Sequence, residues 1–205
     1  MAKKNTLKEL NKIAHNLCYS NPEKSFDIAQ EAALLASIEE NNEEFALAKA
    51  TMAYAGQSLG LLAEAYENAM FALNYFKEVQ NDEKISFLYN TLGFIYYYLG
   101  NTEKRLEVNL LSLELRTKNK ETDRDSYLKS LNNTGDTYIK LNKPKKALSL
   151  LMQIIPDIES QDLRFKAIVY ANIGEALLLS KLYKEAKKEL KKAFLFSQES
   201  NFDEL

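Results

Sequence analysis

The stretch 86-SFLYNTLGFIYYYLGNTEKRLEVNLLSLEL-115 decides the architecture. It divides at Gly100 into two segments of helical periodicity. In the first, Tyr89, Leu92, Gly93 and Tyr96 fall three and four residues apart, which places them on one side of a helix. Gly93 has no side chain there, so a neighbouring helix can come close. The second segment starts near Asn101 or Thr102 and presents Leu106, Val108, Leu110 and Leu113. A single two-helix hairpin cannot bury its own apolar side. It needs copies on either side.

The copies are there. Gly93 is followed by Gly135 and Gly174, with a bulky residue three positions on in each case: Tyr96, Tyr138 and Leu177. Twelve residues after each glycine comes a second mark, at Arg105, Ala147 and Ala186. Projected backward, Ala53 and Ala65 hold the same pair of places, and Gly60 matches Gly100. The steps from Ala53 are 40, 42 and 39 residues, and both marks move together.

Composition agrees with helices joined by short turns. Of 205 residues, only three are proline and six glycine, and 46% are hydrophobic. Charged residues make up 27%, with a formal net charge of -2, which gives no overall push toward nucleic acid or an anionic membrane. No run is apolar and long enough to cross a bilayer. Lys3 and Lys4 are not followed by an apolar leader segment, so the chain reads as cytoplasmic if it begins at its natural start. A single cysteine, Cys18, excludes an internal disulfide and a cysteine metal cluster.

Taken in order, the pattern gives an all-α chain of five hairpins in one continuous domain over 1–205, with repeats at about 6–40, 41–80, 82–118, 123–156 and 162–199. Expected helices in the first two repeats are 6–19, 22–39, 42–59 and 61–76. Asn21-Pro22 supplies a cap and a first-turn proline, and Asn41 with Glu44 has capping-box spacing. In the fourth repeat a helix begins near Asp123 or Asp125 and a second runs over 144–155, where Pro156 ends or kinks it. The fifth uses 165–179 and 182–197. The last segment still carries Leu190, Ala193, Phe194 and Phe196 without a polar capping helix after it, as expected of a fragment whose successor continues the array or adds another domain.

Stretches such as LNNTGDTYIKLNKPKKAL (131–148) and YANIGEALLLSKLYKEAKKEL (170–190) resemble the tetratricopeptide repeat (TPR) family. The step of about 40 residues resembles the longer-helix variety of eukaryotic adaptors and of regulatory regions in bacterial signalling proteins. The resemblance implies a right-handed superhelical solenoid whose first helices line a groove. It carries groove positions onto Asn90, Thr91, Phe94, Tyr97 and Tyr98; onto Asn132, Asn133, Asp136, Ile139 and Lys140; and onto Ala171, Asn172, Glu175, Leu178 and Leu179. In the second repeat the places are Ala50, Thr51, Tyr54, Gln57 and Ser58.

An asparagine amide both donates to a peptide carbonyl and accepts from a peptide N–H, so the Asn90, Asn132, Asn133 and Asn172 set could hold an extended backbone. Phe94, Tyr97 and Tyr98 would add apolar contact and a phenolic donor. The alternative is that the asparagines satisfy neighbouring helices and the aromatics pack between them. Lys129 and Lys140 could face inward, but Asp136 and Glu175 beside them favour a mixed-charge peptide over a carboxylate clamp. His15, the single histidine, and Cys18 read as packing residues, and Glu39, Glu40, Glu43 and Glu44 as solvation and capping. The lysines at 181, 184, 187, 188, 191 and 192 read as a helix surface diluted by Glu185 and Glu189.

No phosphate loop, metal-ligand cluster or nucleophile motif occurs, so neither enzyme nor cofactor is expected. The leading expectation is a non-catalytic protein or peptide interaction module, sensory or regulatory in a bacterial signalling protein and coupled to an attached output domain. The alternative is a structural repeat that forms homodimers or larger assemblies through Phe194 and Phe196.

Overall fold

Seven of the described helices begin where the sequence supplies a side-chain oxygen to an unpaired backbone N–H, whereas α4 and α8 start without a side-chain cap. Asn21, Asn41, Asn81 and Asn101 accept from the amides of Lys24, Glu44, Lys84 and Lys104, all at 3.1–3.2 Å. Asp123 and Asp162 do the same for Ser126 and Phe165. At the N-terminal end Thr6 and Glu9 form a full capping box. The structure, a computed structural model, describes residues 6–202, with only the helical backbone of 201 and 202. Lys3 and Lys4 lie outside the described residues.

The elements are α1 (Leu7–Leu17), α2 (Pro22–Ile38), α3 (Asn42–Ser58), α4 (Leu62–Glu78), α5 (Asp82–Tyr98), α6 (Thr102–Lys118), α7 (Arg124–Lys140), α8 (Pro144–Leu151), α9 (Leu163–Leu179) and α10 (Tyr183–Phe202). They fall into two compact units that meet within α6, one ending at Val108 and the other starting at Asn109.

One turn is used six times. Two residues beyond the helix, Glu40, Gly60, Gln80, Gly100, Asn142 and Lys181 take left-handed φ of 53–79°. The following amide bonds back to the carbonyl five residues earlier, as from Asn41 to Ala36 and from Leu182 to Leu177, at 2.8–3.0 Å. In the first unit these turn residues stand 20 apart, because each 17-residue helix is followed by three turn residues. That is the physical origin of the 40-residue step. The α6–α7 turn is longer, five residues from Asn119 to Asp123, and accounts for the 42-residue step.

In the first unit the odd helices pack side by side, α1 on α3 and α3 on α5, and α2 and α4 cover them. Their core is rich in alanine (Ala14, Ala29, Ala32, Ala36, Ala48, Ala55), closed by Leu7, Leu10, Phe26 and Met52. Small side chains bring the helix axes close. In the second unit α7 packs on α9, with α8 and α10 covering, around Leu128, Leu131, Leu151, Val169 and Ile173.

Two expectations change. The helix expected over 144–155 stops at Leu151, and a 3-10 helix, Ile155–Ser160, follows. Pro156 has no N–H for the carbonyl of Met152, and the chain tightens to three-residue bonds from Gln153 onward. The detour still fills the core, because Ile154 and Ile158 are buried. On α6 the buried side is Arg105, Val108, Asn109, Ser112 and Arg116, whereas Leu110 is exposed. Polar partners on α7 and in the turn explain this. Asn109 Nδ2 donates to Thr137 Oγ1 (2.9 Å) and to the Asn133 carbonyl (3.2 Å), Ser112 meets Ser130, and Arg116 pairs with Asp123.

Candidate functional site

In the second unit α7 and α9 bring part of the expected groove together. Asn172 Nδ2 donates to Asn132 Oδ1 at 2.9 Å. Asn132 is only 6% exposed, while Asn172 is half-buried. The register mate of Asn172 is Asn133, yet the amide it reaches is Asn132. The backbone carbonyl of Asn133 accepts from Asn109 and from Thr137 Oγ1, while its side chain is half-buried. One turn further along, Lys140 Nζ lies 3.0 and 3.3 Å from the Glu175 carboxylate oxygens and 4.0 Å from Asp136. Lys140 is thus held by the two carboxylates that the sequence reading set against an anionic ligand. Ile139 is buried, whereas Leu178 and Leu179 are open to solvent.

In the first unit Asn90 and Phe94 are half-buried and Tyr97 and Tyr98 exposed, their rings 5.4 Å apart. The Arg105 guanidinium sits 4.8 Å from the Tyr97 ring centre. Thr51 and Thr91, expected in the groove, are buried and bond back to the carbonyls of Leu47 and Phe87, and Ala50 and Gln57 are buried as well. A side chain with a preceding-turn carbonyl in reach satisfies itself there.

Tyr54 is the second-repeat position that gathers others. Its ring lies 4.8 Å from Tyr19, in the turn after α1, and 5.7 Å from Phe87 on α5, stacked on the latter at 27°. His15 closes the row edge-on to Phe87 at 5.8 Å. Four rings, from α1 and the turn after it, α3 and α5, form one run, with Tyr19 largely exposed and the Tyr54 and Phe87 rings half-buried. Burial first, and Lys84 second, lower the His15 pKa against a smaller opposing pull from Glu83. The imidazole is therefore held neutral and behaves as another flat apolar ring.

Sequence reasoning took Tyr54 from the repeat register and missed Tyr19 and Phe87, with His15 read as packing alone. Phe87 lies seven residues before Phe94, two helical turns, and so shares its face. Tyr19 follows His15 by four residues, in the turn just beyond α1.

The remaining candidates are structural. Burial pushes the Cys18 thiol up to about 11, which leaves it protonated and unreactive near neutral pH. Glu44 is buried and accepts from Asn11 Nδ2 at 2.7 Å, more than the solvated corner expected. Phe196 stacks on Tyr170 at 5.7 Å and 15°, so of the pair expected to drive assembly only Phe194 is exposed. Among the described residues no group of three or more His, Cys, Asp or Glu could hold a metal ion. No helix among them is long and apolar enough to cross a membrane.

Sequence models of the tetratricopeptide repeat match residues 84–157 and 167–199, together about half of the chain. The chain belongs to the tetratricopeptide-repeat family. Solved structures agree on the TPR fold. BtubC (BKLC) from P. vanneervenii superposes with a TM-score of 0.76 at 16% identity, over 95% of this chain and 81% of BtubC. The TPR-like repeats of a Podosopora anserina protein named as a kinesin light chain give 0.73 at 15%, over 95% and 96%. Rap protein, solved in complex with Competence and Sporulation Factor, gives 0.70 at 12%, over 94% of this TPR chain and 64% of Rap. At these identities the likeness is one of fold. No curated protein matches the sequence.

Proposed function

We propose that this chain is a non-catalytic interaction module that binds a peptide or protein segment, and that it serves as the sensory or regulatory part of a cytoplasmic bacterial signalling protein with an attached output domain. The observation that carries the reading is the run Tyr19–Tyr54–Phe87–His15. Flat side chains with few rotatable bonds give contact area at low entropic cost, and buried aromatics dominate binding energy where segments dock. Tyr19 and Tyr54 add phenolic groups able to orient a backbone. The half-buried amide of Asn172 and the Asp136–Lys140–Glu175 charges are a second set of polar groups, suited to a peptide of mixed charge. A ligand that rigidifies the odd helices would bias whatever output is fused to them. The solved Rap complex with Competence and Sporulation Factor supports a ligand-binding use of this fold.

The test is selection of binders from a library of random linear peptides on the 205-residue chain, followed by fluorescence anisotropy with the enriched sequence. Tyr54→Ala is expected to weaken binding by about 30-fold, the scale of an aromatic hot spot. No enrichment, or binding indifferent to both Tyr54→Ala and Phe87→Ala, overturns the proposal.

A further inference from the structure

We propose that two copies of the chain associate head to tail, the outer face of α2 in one copy lying parallel to the outer face of α10 in the other. On α2, Glu23, Asp27 and Leu34 are exposed at spacings of four and seven residues, about one and two turns. On α10, Lys184, Lys188 and Leu195 repeat those spacings and are likewise exposed. A parallel pairing in register sets two carboxylates against two ammonium groups and leucine against leucine. Lys24 and Glu185, one residue on in each helix, stand about 100° aside.

The turn residues show that these are the same places in the repeat. Leu34 lies six residues before the left-handed Glu40, as Asn74 does before Gln80. Leu195 lies fourteen after Lys181, as Asn74 does after Gly60 and Glu114 after Gly100. Of the helices between, α4 and α6 carry Asn74 and Glu114 there, both exposed and polar, while α8 ends at Leu151 and the position falls on Pro156 of the 3-10 helix. The helices α2 and α10 instead expose leucine, by 65% and 52%. An exposed apolar residue at one outer-face position, confined to these two helices and flanked by charges of opposite sign, fits a mutual contact between copies. Such an interface is heterologous, so it leaves one face free on each copy and extends to a chain or closes to a ring. It uses even-numbered helices, whereas the aromatic run lies on odd-numbered ones. Loss of peptide binding therefore leaves this proposal standing, and the reverse.

Sedimentation velocity on the 205-residue chain across concentration tests it. The mean mass is expected to rise with concentration at low ionic strength and to fall back as salt screens the pairs. E23K/D27K and K184E/K188E should each weaken association by more than about tenfold, since like charges then face each other. Carrying all four changes in one chain should restore it. Leu34→Asn and Leu195→Glu, which install the side chains of the intermediate helices, should also weaken it while circular dichroism stays unchanged. A chain that remains monomeric at every concentration, charge reversals without effect, or a four-fold variant that does not recover overturns the proposal.

Discussion

Leu190 on α10 packs so tightly into Gly174 on α9 that a Cβ added to the glycine would lie 2.5 Å from Leu190 Cγ. The same relation holds between Gly135 and Leu151, at 2.8 Å, while at Gly56 the tightest neighbour is a Phe26 ring carbon at 3.3 Å. Alanine is the better helix former by about 0.5–1 kcal/mol, but forcing atoms into a packed core costs about 1–3 kcal/mol. Urea unfolding should therefore rank Gly174→Ala as most destabilising, Gly135→Ala next, and Gly56→Ala near neutral. Ala53 and Ala69, both fully buried, occupy the glycine and leucine positions of the second repeat. Adding Leu190→Ala to Gly174→Ala should consequently cost much less than the two single changes added together. Strict additivity would show that the two residues do not share the contact.

The repeat architecture was legible because its marks are local. Glycines, caps and turn residues act within a few positions of themselves, so the 40-residue step survives without knowledge of the fold. The shortened α8 needed one more fact, that Ile154 and Ile158 are buried in the core on a 3-10 detour after the helix stops at Leu151. The buried side of α6 was not legible. Hydropathy favours Leu110 over Asn109, and only the acceptors on the next helix, the Thr137 hydroxyl and the Asn133 carbonyl, make the asparagine the inward residue. Of the candidate site, Tyr54 follows from register. Its assembly with Tyr19 and Phe87 joins residues more than thirty positions apart, on α3, α5 and the turn after α1, which no local spacing encodes.

The left-handed turn residues carry strain that can be relieved. Gln80 and Lys181 hold φ of 55° and 62°, a conformation that costs a residue with a Cβ about 1–2 kcal/mol. Gln80→Gly and Lys181→Gly should each raise stability, by up to about 1 kcal/mol once the greater freedom of glycine in the unfolded chain is subtracted. Gly100→Ala should lower it by about 1 kcal/mol even though nothing crowds the site. Thermal melts of the three variants would read opposite signs. A shared sign would mean that the turn is not held in the left-handed region.

His15 makes stability depend on pH in a defined direction. Its folded pKa lies below the usual 6.5, chiefly through burial, so the unfolded chain takes up a proton more readily than the folded one. The contribution is fully present above about pH 6.5 and is lost as pH falls below that value. Unfolding free energies measured down through this window should decline, and His15→Gln should flatten that part of the profile. An imidazole that titrates by NMR at or above 6.5 in the folded chain would contradict it.

Stability and ligand capture should separate between the two sets of candidate residues. Asn172→Ala removes the donor to the buried Asn132 oxygen, and an unsatisfied buried acceptor costs about 1–3 kcal/mol. Lys140→Ala breaks a half-exposed ion pair, worth less than about 1 kcal/mol. Tyr19→Ala truncates a largely exposed ring whose contact with Tyr54 is worth about 0.5–1.5 kcal/mol, a smaller stability cost than the upper range for Asn172→Ala. If the aromatic run is the docking surface, Tyr19→Ala lowers peptide affinity by more than its small stability change, and Asn172→Ala lowers stability with a smaller change in affinity. Anisotropy and urea unfolding on the same samples give both quantities. The opposite pattern, affinity lost only with Asn172, would move the docking surface from α1, α3 and α5 to α7 and α9.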